Sequence, residues 1–210
     1  MRQSLMLTAT VLLAAGAFAA EPPVAPVVPS ATPATPTAAP LPAPNPNLDQ
    51  AKVLMKEFAE TLKGELEAAM KSGGPTAAVV VCKDRAPAIA AGVSARSGWE
   101  VGRVSLKPRN PKLDTPDAWE KAVLTRFDER KATGEAVDTM AFAEVVQGEQ
   151  GKQFRFMKAI PTGEVCLACH GSAITPEVAA ALDQAYPGDP ARGYALGDVR
   201  GAFSLAKPIN

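Results

Sequence analysis

The chain has 210 residues, with 22 Lys and Arg balanced by 22 Asp and Glu, one histidine, three cysteines and 5% aromatic residues. A formally neutral chain offers no basic footprint for nucleic acid. With a single histidine and no phosphate loop or paired-carboxylate site, hydrolytic and phosphoryl-transfer chemistry find no residues to carry them, and a non-enzymatic protein is expected.

Residues 1–19 read as a secretory signal peptide: Arg2, an apolar run from Leu5 to Phe18, and a small-residue end at Ala17-Phe18-Ala19. The run falls short of the roughly 20 apolar residues of a membrane helix, and no second apolar span follows. Export to the periplasm with cleavage after Ala19 is expected, leaving no stable membrane span. Residues 20–47 form a Pro/Ala-rich tract with ten of the twenty prolines, unable to bury a core and expected to act as an extended tether. Residues 48–210 are one domain's worth of chain.

That domain opens on a long helix predicted over Leu48–Lys71, whose Leu54, Phe58, Leu62, Leu66 and Met70 recur every four residues. Ser72-Gly73-Gly74-Pro75 should end it, and a short apolar run, Ala77–Val81, leads to Cys82. A second helix over Arg85–Ser97, with Pro87 in its first turn, would put Cys82 near a helix N-terminus. Trp99–Lys107 reads as a strand, and Pro108-Arg109-Asn110-Pro111 as an irregular extended loop. Thr115-Pro116-Asp117 supplies cap, first-position proline and first-turn acid for a helix running to about Lys131. Strands near Asp138–Gln147 and Lys152–Ile160 flank a Gly148-Glu149-Gln150-Gly151 turn, with Phe154 and Phe156 on one face and Arg155 and Met157 on the other. A helix over Pro176–Ala185, the turn-rich Tyr186-Pro187-Gly188-Asp189-Pro190 and a strand over Val199–Leu205 complete an α+β order with an antiparallel sheet.

The densest chemistry lies in Cys166-Leu167-Ala168-Cys169-His170-Gly171, which holds two cysteines and the only histidine. Cys-x-x-Cys-His is the c-type haem attachment pattern. Two thiols one turn apart can each add to a vinyl group, and the adjoining imidazole then serves as proximal iron ligand. One covalent haem c is the expected cofactor. The rival readings are a redox dithiol, which would not need His170; a zinc site drawing on Cys82, Cys166, Cys169 and His170, awkward because Cys169 and His170 are adjacent; and a short-loop disulfide. Export agrees with the haem reading, because covalent attachment takes place outside the cytoplasm.

With Cys166 and Cys169 used, Cys82 is a lone thiol in an oxidising compartment. Lys83, Arg85 and the following helix N-terminus would favour its thiolate, the metal-binding form; the bland alternative is an inert buried thiol. Met140 and Met157 are the other candidate iron ligands, although a strand methionine is more often core. Arg109 and Asn110, in a proline-bounded loop, could hold haem propionates, as could Arg103 on the neighbouring strand; a surface turn is the plain alternative.

Val80-Val81-Cys82, Gly102-Arg103-Val104-Ser105-Leu106, Arg109-Asn110-Pro111, Trp119-Glu120, the Cys166–Gly171 motif, Tyr186-Pro187-Gly188-Asp189 and Gly197-Asp198-Val199-Arg200-Gly201-Ala202 together resemble a family of exported single-haem c-type domains with a PAS-like fold. The resemblance spans about residues 50–206. It includes a cyanobacterial member and the sensory domains of some histidine kinases and chemoreceptors. The resemblance implies a PAS-like antiparallel sheet with flanking helices and iron held between a histidine and a cysteine, which map to His170 and Cys82. No transmembrane or output segment follows the domain here, so a separate redox partner or signalling protein is expected, with a small gas as a possible ligand. Two roles follow: a sensor that changes iron ligation with redox state or ligand, or a periplasmic electron carrier that keeps both ligands.

Overall fold

The computed structural model describes residues 45–148 and 151–209. The expected signal peptide and nearly all of the tether lie outside the described residues, as do Glu149 and Gln150. Among the described residues no helix is long and apolar enough to cross a membrane.

The domain is α+β. Helix α1, Pro46–Val80, starts two residues earlier than predicted because the Asn45 side chain caps it, accepting from Asn47 N and Leu48 N. The predicted break is present as a kink: Gly74 adopts φ 70°, ψ −166° ahead of Pro75, and the helix then resumes. The run to Val81 is therefore helical, and it continues through a π-helical turn, Val81–Arg85, into α2, Ala86–Ser97. Cys82 thus sits inside a continuous helical path and not at a helix N-terminus, so the expected help from free N–H groups does not arise. Arg85, the other expected support, is spent on a bidentate pair with Glu65 at 2.7 and 2.8 Å.

Strand β1, Glu100–Val104, is shorter than predicted because Ser105 leaves the sheet to donate its N–H to Asp114 O and its hydroxyl to Arg200 O. Helix α3, Ala118–Ala132, is capped by Asp117, not Thr115. Asp117 and Glu120 exchange side-chain to backbone hydrogen bonds as a capping box, leaving Pro116 outside the helix. A short 3-10 turn, Val137–Thr139, precedes β2, Ala141–Gly148, and β3 spans Gly151–Pro161. The Cys-x-x-Cys-His motif is itself helical, α4, Glu164–His170, followed by α5, Pro176–Ala185, with bounds as predicted. Strand β4, Val199–Pro208, outruns its prediction because Ala206, Lys207 and Pro208 pair with Arg155, Phe154 and Gln153.

The sheet is fully antiparallel in the order β1-β4-β3-β2, so the last strand lies at its centre. Alternation along β3 sends Phe154 and Phe156 to a core with Trp99, Leu205 and Ala51, under α1. Phe58, Leu62, Ala90 and Val93 of α1 and α2 extend that core onto Val101 and Phe203. Met157, with Ala159, Ala202 and Phe142, faces the other way, onto Val123, Leu124 and Phe127 of α3. Both faces are covered, each large side chain contributing about 1.5–3 kcal/mol by burial.

The antiparallel pairing gathers the end of β1, the start of β4 and the end of β3 at one end of the sheet, through Val104↔Ala202 and Pro161↔Val199. Gly201 permits the close approach of β1 and β4 there, since a Cβ would overlap the Val104 carbonyl oxygen. Gly201→Ala is expected to lower stability by about 1–3 kcal/mol through overpacking against backbone, read by urea denaturation.

Candidate haem-binding site

Helix α4 leaves β3 at this end of the sheet, where Thr162 N donates to Asp198 O at 2.8 Å and Gly197 N to Thr162 O at 2.8 Å. Its C-terminal end is clasped by the segment after α5: Gly193 N donates to Gly171 O at 3.0 Å and Tyr194 N to His170 O at 2.9 Å. Gly171 turns away immediately after the motif, where a Cβ would lie 2.6 Å from Leu167 O. Although α4 reads Glu-Val-Cys-Leu-Ala-Cys-His, none of its residues is buried, and Val165 is 42% exposed. Its apolar side is only partly covered by protein.

The imidazole of His170 is held at Nδ1, 2.8 Å from Ala191 O. A carbonyl oxygen can only accept, so Nδ1 carries the proton and Nε2 keeps its lone pair. Arg200 Nε lies across the ring edge, 3.0 Å from Nδ1 and 3.3 Å from Nε2, and Arg109 Nη1 is 3.4 Å from Nε2. Burial, then the charges of Arg200 and Arg109, lower the imidazole pKa from its ordinary value to about 2, with Arg103 adding to the effect. A neutral ring anchored through Nδ1 is the form that binds iron, and here the Nε2 lone pair is met by the two guanidinium groups.

Arg109 is buried, at 5% exposure. It donates to Cys169 O at 2.6 Å and Ala191 O at 3.2 Å, and it pairs with Asp189 at 3.0 Å. It therefore ties the histidine helix to the turn after Tyr186, and its charge is spent within the protein. Asn110 is likewise turned inward: its side chain accepts from Lys112 N at 3.2 Å, and its backbone N–H donates to Asp114 Oδ2 at 3.3 Å. Both residues brace the site as it stands, and Arg109 Nε is buried without a hydrogen-bond partner. Arg103 sits over Phe58 at 5.9 Å.

Cys82 is brought toward the motif by the segment of α1 beyond the kink. Val79 packs with Val178, Leu182 and Tyr186, in a cluster that also includes Cys169. Cys82 is close enough to act electrostatically on both the Cys169 thiol and the Tyr186 phenol. Burial raises the Cys169 thiol pKa, with Arg109 opposing and Cys82 and Cys166 adding to the rise. A redox dithiol needs the opposite shift. All three cysteines are unpaired, so the short disulfide does not form. Among the described residues no three His, Cys, Asp or Glu side chains converge as a bare metal site, which removes support for zinc. Met140 and Met157 are both fully buried in the core beneath α3 and belong to that packing.

Sequence reasoning missed Arg200, Tyr194 and the Ala191 carbonyl. Arg200 Nη1 donates to Ser105 Oγ at 3.0 Å, and its Cζ lies 5.4 Å from the Tyr194 ring, which meets His170 edge-on at 6.2 Å.

The fold defines an α+β domain with an antiparallel sheet, a long N-terminal helix and the Cys-x-x-Cys-His helix at one sheet end. The chain belongs to the Tll0287-like family, which matches residues 43–208. Among solved structures it is similar in fold to the crystal structure of the cyanobacterial heme-protein Tll0287, at 24% identity and TM-score 0.60, over 80% of this chain and 98% of that one. No curated protein matches the sequence significantly.

Proposed function

We propose that this is an exported haem-binding protein of the c type, with Cys166 and Cys169 as the thioether residues, His170 as proximal ligand and Cys82 as the opposite one. The observation that carries the reading is the neutral His170 ring, anchored by Nδ1 on Ala191 O, directly beyond two thiols spaced on a helix whose apolar side is incompletely covered. Haem binding by a similarly folded protein supports it. A bound haem would supply a one-electron couple and an iron able to exchange a ligand.

The physiological role is that of a redox- or ligand-responsive protein of the periplasm, acting on a separate redox or signalling partner, without enzymatic activity. Cys82 lies in a π-helical turn, a local irregularity common at functional positions and easily repacked. As a thiolate it favours the ferric state. Held opposite His170, Cys82 would be the donor that a bound haem could release on reduction. Its release would alter the packing of Val79 and Val81. An electron carrier would keep both donors in place and gain nothing from such a hinge.

Cys82→Ala is expected to leave the haem attached while changing the visible spectrum and raising the reduction potential, because an anionic donor has been removed. In the wild type, carbon monoxide should bind the reduced protein, and hydrogen exchange over residues 48–97 should differ between redox states. Six-coordinate iron that ignores carbon monoxide, with identical exchange in both states, would make the electron-carrier reading the correct one.

A further inference from the structure

Three guanidinium groups surround His170, and their charges are balanced unequally. Arg109 has Asp189 as its partner, at 3.0 Å between side chains that are 5% and 0% exposed. Neither Arg200 nor Arg103 has a carboxylate within 4.0 Å among the described residues. The other nearby acid, Asp114, acts on Arg103, Arg200 and Arg109 through its charge without pairing directly with any of them. Arg200 and Arg103 are both half-buried. A half-buried cation with no carboxylate in contact is costly, and a site that maintains one is poised to receive an anion.

Arg200 is also the best aimed of the three. It stands at the start of the central strand, rooted in the sheet. Ser105, itself buried, fixes it twice: the hydroxyl donates to Arg200 O at 2.8 Å and accepts from Nη1 at 3.0 Å. The Tyr194 ring supports the guanidinium plane at 5.4 Å. Nη2 makes no hydrogen bond to a described residue, so half of the planar fork remains for a ligand.

We propose that Arg200, positioned by Ser105 and Tyr194, is the principal carboxylate-binding residue of the pocket and receives a haem propionate, with Arg103 as the second cation and Arg109 as a brace that does not touch the ligand. This rests on the haem reading above. Its effect is electrostatic as well as positional, since a fixed cation beside the haem disfavours the ferric form and raises the potential.

The test compares haem-loaded wild type with Arg200→Gln and Arg200→Lys by intact mass, propionate bending modes in resonance Raman spectra, and reduction potential. The glutamine variant should retain its haem, shift the propionate mode and lower the potential. Lysine should restore the potential in large part but not the mode, because an ammonium cannot make the two-point contact. If the glutamine variant fails to mature, Ser105→Ala, which frees Nη1, should shift mode and potential in the same directions by less. An unchanged mode in the variants overturns the assignment of Arg200, whatever the potential does, while leaving the haem reading intact. Wild-type protein with the mass of the bare polypeptide overturns both.

Discussion

Exchanging Cys166 and Cys169 together for serine is expected to abolish covalent haem attachment, giving an intact mass equal to that of the processed polypeptide, while the wild type carries the mass of one additional haem. Adding a thiol across a vinyl group transfers every atom of both partners, so the two masses differ by the whole cofactor. Each single variant should keep one thioether and resist acidified organic extraction less well than the wild type. The expectation depends on the placement of α4: its two thiols lie one turn apart on a helix with no buried residue, and the imidazole beside the second is already locked as the Nδ1–H form. His170→Ala in the same host should leave both thiols in place but remove the axial donor. Its spectrum therefore separates attachment from ligation. Acid-stable haem in the double variant would mean that attachment uses other residues.

The parts of this architecture legible in the sequence were those governed by local rules. The four-residue apolar repeat announced α1, the alternation through Phe154, Phe156 and Met157 assigned two opposite sheet faces, and α5 formed over its expected range, where Thr175 caps it and Pro176 takes the first position. The failures share a physical cause, which is competition between a local signal and a partner distant in sequence or a better local one. Gly74-Pro75 reads as a helix stop, but the segment beyond it resumes as helix because Val79 finds a hydrophobic seat on Val178, Leu182 and Tyr186. Asp117 displaced Thr115 as cap because Glu120 could reciprocate. Within the site, a motif identified the donors without identifying their supports. Arg109 looked like a ligand-facing arginine because its carboxylate partner, Asp189, lies 80 positions on. Arg200 carried no signal of its own, since its contact to Ser105 spans 95 positions.

Arg109→Ala is expected to be the most destabilising single change at the site, by about 3 kcal/mol, because it takes from the fully buried Asp189 carboxylate the closer of its two cations. Asp189 would still accept from Ala191 N at 2.9 Å and keep its longer ion pair with Arg192 Nε at 3.3 Å, which limits the cost. The loss should propagate to the cofactor pocket, since the same guanidinium holds Cys169 O and Ala191 O, and Ala191 O is what orients His170. Asp189→Asn should cost less, because the amide oxygen can still accept while Arg109 keeps its two carbonyl partners. Urea denaturation of the two single variants and the double variant provides the coupling energy. If the pair acts as a unit, the double variant will be more stable than the sum of the single losses predicts. Strict additivity would place the energy in the separate carbonyl contacts, and Arg109 would then brace the histidine helix without depending on Asp189.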